Sequence, residues 1–121
     1  MVKETAEKSA IVPTLVYGAL FLLGLYGASL YSYLLFHCLA ETFSVVIACG
    51  IFVLAWNSRH LIDNPYLVLM GIACLSIGAL DFLHTLAYKG MGVFPGYGPN
   101  PPTQLWIAAR YLQGISFLIA P

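Results

Sequence analysis

Three observations predict an all-α membrane protein, an antiparallel bundle of about four transmembrane helices. Hydrophobic residues make up 60% of the 121-residue chain and charged residues only 8%, where an ordinary soluble domain carries about a quarter charged residues. The apolar residues gather into runs of about 20, the length that crosses a bilayer core as a helix. Short segments that are polar, or rich in glycine and proline, separate the runs and break helices.

The elements follow in order. The opening MVKETAEKSA is short and charged. The apolar run after it is about twice the length of a signal-peptide core and has no clear cleavage site, so it reads as a retained anchor. The first span is expected over roughly 11–30, with Pro13 near its start, where proline is tolerated. A tight turn around Tyr31-Ser32-Tyr33 follows, its tyrosines suited to a membrane interface. The second span covers roughly 34–56 and is interrupted by His37 and Glu41. The polar loop NSRHLIDNP ends in Asn64-Pro65, a helix cap followed by a proline fit for the first helical position. A third span runs roughly 65–88. The segment KGMGVFPGYGPNPPT, residues 89–103, is expected to be non-helical, and a fourth span covers roughly 104–121. That span is still apolar in its closing LIAP, with nothing polar after it, so residues 1–121 are expected to be the N-terminal part of a larger domain.

Composition also excludes. Net charge is zero and no basic stripe exists, which argues against nucleic acid as a partner. Cys38, Cys49 and Cys74 lie inside apolar runs without a CxxC pair and read as small buried hydrophobes. No serine–histidine–acid arrangement, phosphate-binding loop, dinucleotide fingerprint or kinase motif occurs, so the chain itself is not expected to be an enzyme. Glycines and other small residues (Gly18, Gly24, Gly27 and Ala28 in the first span, Gly71, Cys74 and Gly78 in the third) suit close helix packing.

The positive charges orient the spans. With the N-terminus inside, Lys3, Lys8 and Arg59 are cytoplasmic and Lys89 is outside, as the positive-inside rule prefers. The glycine–proline loop is then external. His37 and Glu41 fall near the outer end of the second span, Asp81 and His84 near the outer end of the third, and Arg110 near the start of the fourth. At 1.5 Å per residue, Glu41, Asp81 and Arg110 each sit about 10 Å below the outer boundary.

Each charge facing lipid at mid-membrane would cost about 2.5–3.5 kcal/mol, less near an interface. Gathered together, Arg110 can pair one or both carboxylates while the histidines complete the hydrogen bonding. Two readings remain open. One is an ion cluster that sets helix register. The other is a ligand pocket beneath the external loop, built from His37, Glu41, Asp81, His84 and Arg110. The two histidines and two carboxylates form a possible metal set, and the two histidines possible haem ligands. Neither spacing is a signature, so no cofactor or metal is assigned. Trp56, Tyr66, Tyr88 and Trp106 read as interfacial anchors, and Trp106 is one turn from stacking on Arg110.

The motifs FHxLAE, AWNSR, LDxLHTLAYKGMGVFPG and PTQLWIAARY span about two thirds of the chain. In them the sequence resembles the third class of bacterial membrane-associated sensor domains, the MASE group. The resemblance implies a multi-helix sensory input module of the bacterial cytoplasmic (inner) membrane. It also implies a covalently linked cytoplasmic output domain of histidine kinase, PAS or diguanylate cyclase type, and spans beyond residue 121. It brings no catalytic residues. The expected function is therefore sensory input in signal transduction, with the lipid bilayer, an unknown small ligand and the output domain as partners, and a homodimer as a compatible assembly. The alternatives are a haem- or metal-binding electron-transfer membrane protein and a transporter fragment.

Overall fold

A computed structural model describes residues 2–61, 64–96, 98 and 100–119, with side chains from residue 11 onward. Every regular element among them is helical: α1 (Val2–Tyr31), α2 (Tyr33–Ser58), α3 (Pro65–Ala87) and α4 (Asn100–Ile119). The chain divides into two compact units, Met1–Leu39 and Ala40–Pro121. The terminal Ala120-Pro121, on which the expected continuation rests, and the side chains of Lys3 and Lys8 lie outside the described residues.

In the first unit α1 begins nine residues before the expected span, because lysine, glutamate and alanine in the opening segment are good helix formers. Pro13 is consequently interior to the helix rather than near its start. Ser32 alone separates α1 from α2. Its N–H donates to the Ala28 carbonyl at 2.9 Å, and its hydroxyl accepts from the Leu35 N–H at 3.4 Å, the position a capping serine serves.

In the second unit α3 starts as its sequence predicts. Asn64 is extended (φ −125°, ψ 99°), its side-chain oxygen accepts from the Tyr66 N–H at 3.0 Å, and Pro65 opens the helix. After α3, the Met91 N–H donates to the Tyr88 carbonyl at 3.1 Å, closing a turn whose third residue, Gly90, has φ 105°. That left-handed position is the one a type II turn reserves for glycine. α4 begins at Asn100, four residues before the expected start. Pro101 and Pro102 fit its first turn because the N–H groups they lack have no intrahelical acceptor there.

Small residues set the α2–α3 spacing. A Cβ placed on Gly71 would come within 2.6 Å of the Ala55 Cβ, and one on Gly78 within 3.0 Å of the Ala48 Cβ. Both pairs are seven residues apart and run in opposite directions, which defines an antiparallel register. A further step of seven brings Glu41 level with Thr85. Buried residues of the unit include Ala55, Ala73, Ile77 and the fully enclosed Ala109, together with three polar residues, Asp81, His84 and Thr85.

Among the described residues, three helices are long and apolar enough to cross a membrane, over Ile11–Tyr31, Tyr33–Ser58 and Pro65–Ala87. The expected fourth span is a helix of 20 residues that does not reach that hydropathy, because Asn100, Gln104, Arg110, Gln113 and two prolines dilute its apolar residues.

Candidate ligand-binding site

Stripes from three helices of the second unit line one cavity of about 360 Å³. α2 contributes Glu41, Ser44, Ile47, Ala48 and Ile51; α3 contributes Cys74, Ile77 and Asp81; α4 contributes Trp106, Arg110, Gln113 and Phe117. Apart from the adjacent Ile47 and Ala48, the spacings along each helix are three or four residues, which keeps the set on one face. The cavity is chemically lopsided. α2 and α4 enter it from their beginnings and α3 from its end, so Glu41, Asp81 and Arg110 share one end while Ile51, Cys74 and Phe117 form the other.

Asp81 is only 5% exposed. The Arg110 Nη2 donates to its Oδ2 at 2.6 Å, an ion pair that offsets the cost of burying a carboxylate. The other terminal nitrogen, Nη1, donates to Gln113 Oε1 at 2.7 Å, which holds the guanidinium in place from its own helix. Asp81 Oδ1 is buried and has no hydrogen-bond partner among the described residues. Thr85 does not fill that role, because its hydroxyl donates to the Asp81 main-chain carbonyl at 2.8 Å.

His84 is buried and bonded across the loop. Its Nδ1 lies 2.7 Å from the Pro102 carbonyl oxygen. A carbonyl only accepts, so Nδ1 carries the proton and donates. The bond ties the end of α3 to the first turn of α4. Glu41 is half-buried, and a carboxylate oxygen of it lies within 4.8 Å of a ring nitrogen of His84. A carboxylate and an imidazole are both groups that ligate cations.

The sequence-predicted set therefore divides. Glu41, Asp81 and Arg110 line one cavity, with His84 next to Glu41. Arg110 pairs with Asp81, and Glu41 has no ion pair among the described residues. His37 belongs to the first unit, one helical turn before Glu41 on α2, with its ring stacked on Tyr33 (centroids 6.4 Å apart, planes at 12°). The glycine–proline loop does not line the cavity that holds the charges. Instead it encloses a separate space of about 320 Å³ with the end of α3 and Pro102. The cation–π contact expected at Trp106 forms elsewhere, with Arg59 stacked 4.3 Å over Trp56.

Sequence reasoning missed Gln113 and the Pro102 carbonyl. Gln113 could have been found, since it is three residues after Arg110 on one helix. A backbone acceptor 18 residues from its histidine leaves no side-chain signal.

Long apolar helices with a buried ion pair beside a helix-lined cavity define a membrane-embedded domain. The sequence model of the membrane-associated sensor domain family MASE3 matches residues 28–121, and the chain belongs to that family. Membership gives it a sensory input role at a membrane. No curated protein and no solved structure matches the chain.

Proposed function

We propose that this chain receives a small ligand in the α2–α3–α4 cavity and reports its occupancy to a covalently linked cytoplasmic output domain of histidine kinase or diguanylate cyclase type. The observation that carries the reading is Asp81. It is buried at the cavity wall with one oxygen held by Arg110 and the other without a partner among the described residues, whereas a purely structural ion pair satisfies both oxygens at lower cost. Glu41, Asp81, His84 and Arg110 are the proposed ligand-contacting groups. The positive-inside distribution supports an N-terminus in the cytoplasm of a bacterial inner-membrane protein, with α4 crossing as a fourth span. A ligand shifts the output only through unequal affinity for two packings of these helices.

The test is output activity of the full-length protein in membrane vesicles, with Ser44→Phe filling the cavity and Asp81→Asn and His84→Ala altering its polar end. Each variant is expected to change the output while inserting normally. Unchanged output in all three overturns the reading. A second reading, a haem- or metal-binding electron-transfer domain, draws on the Glu41–His84 approach. Visible absorbance and metal analysis of the purified protein distinguish it.

A further inference from the structure

Resting on that reading, we infer the chemical class of the ligand: a monocation whose ammonium or amidinium head donates hydrogen bonds and whose body is apolar. Two carboxylates, Glu41 and Asp81, and one guanidinium, Arg110, line the cavity, so these three side chains sum to one negative charge when ionised, with the His84 imidazole beside Glu41 as the other ionisable group of the site. Arg110 uses two of its five N–H donors within the protein, one to Asp81 Oδ2 and one to Gln113 Oε1. Among the buried atoms of the cavity lining, what remains unmatched is an acceptor. Among the described residues, the buried Asp81 Oδ1 has no hydrogen-bond partner and the half-buried Glu41 carboxylate has no ion pair. An ionised carboxylate only accepts, so the complement must donate. A positive charge further matches the surplus.

The rest of the cavity shapes the body. From Asp81 toward Cys74 the wall runs seven residues along α3, about 10 Å at 1.5 Å per residue, and it becomes apolar through Ile77, Ile51 and Phe117. Trp106 lines the polar end one helical turn before Arg110, and an indole is a side chain that attracts cations. An anion fits none of this, since it would face two carboxylates and compete with Asp81 for Arg110. A neutral donor satisfies Oδ1 but leaves the charge unmatched.

The experiment uses the full-length protein in lipid nanodiscs and tritiated phenethylamine as probe, with empty nanodiscs to subtract partitioning into lipid. The competitors are 2-phenylethanol, which keeps the body and a neutral donor, and phenylacetate, which reverses the charge. Saturable amine binding is expected, with 2-phenylethanol at least about tenfold weaker and phenylacetate without effect. Glu41→Gln and Asp81→Asn should each weaken the amine about tenfold, and Ser76→Ala, on α3 outside the cavity, should not. If Asp81→Asn fails to fold, Glu41→Gln decides, because Glu41 supports no ion pair. The inference is overturned by an absence of saturable amine binding, by phenylacetate binding as tightly as the amine, or by unchanged affinity in Glu41→Gln. Phenylacetate binding that Ser44→Phe abolishes would sink the cationic class and leave the cavity reading standing. That reading falls separately, on unchanged output in its own test.

Discussion

The glycines of α1 and those of α3 look alike in sequence and meet different surroundings. Gly18, Gly24 and Gly27 have open space where a Cβ would go, whereas Gly71 and Gly78 face alanine Cβ atoms of α2 at 2.6 and 3.0 Å. Correspondingly, no residue of the most apolar stretch of α1 is buried, against 22% in α3. Both helices are apolar and long enough to span, so hydropathy does not tell them apart. What separates them is a close small-residue seam on α3, carried on the same helix as a buried aspartate and a buried histidine. In lipid, where apolar side chains gain little by leaving their surroundings, such close backbone approach is what holds helices together.

That difference can be broken at its strongest point. Gly71→Leu puts a branched side chain where even a Cβ collides with Ala55, and it should lower stability by about 3 kcal/mol through overpacking. Unfolding in detergent followed by circular dichroism measures it, and a wild-type midpoint would show that the seam is not tight. A smaller loss is expected at the ion pair. Arg110→Ala leaves the buried Asp81 carboxylate uncompensated, but the arginine side chain is 40% exposed, so solvent screening reduces the loss to about 1–2 kcal/mol. Adding Asp81→Asn should restore most of it. A double variant no more stable than Arg110→Ala would break the pairing argument. The smallest effect sharpens the contrast from the other side: Gly24→Ala in α1 meets nothing and replaces a poor helix former, so a gain of about 0–1 kcal/mol is expected by the same assay. A loss comparable to that of Gly71→Leu would mean that α1 has a close partner of its own.

Much of this was legible in the chain. Run lengths located four helices, and Asn64-Pro65 marked the start of α3 to the residue. The two ends that moved, at Val2 and Asn100, moved because charged helix formers and first-turn prolines are compatible with a helix although they are poor in hydropathy. Glu41, Asp81 and Arg110 were legible as a group because an ionisable residue in an apolar run demands a partner. Which carboxylate Arg110 would choose was not, since the choice depends on helix rotation, and periodicity alone does not fix rotation between helices. The role of the loop was misplaced for a related reason. Glycine and proline content shows that a segment turns, but not which cavity it closes.

The paired Gly71–Ala55 and Gly78–Ala48 contacts act as a ratchet stop. Translating α3 along α2 by one turn, about 5.4 Å, would remove Gly71 from Ala55 and set Cys74 or Leu75 there, side chains whose Cβ that spacing does not admit. A piston stroke along this seam therefore requires the two helices to separate first. Tilting or rolling about the two glycine contacts meets no such obstacle. Motion that starts at the Asp81 end would then travel as a lever about the seam, with the glycines as its fulcrum and the far end of α3 at Asn64 as its output.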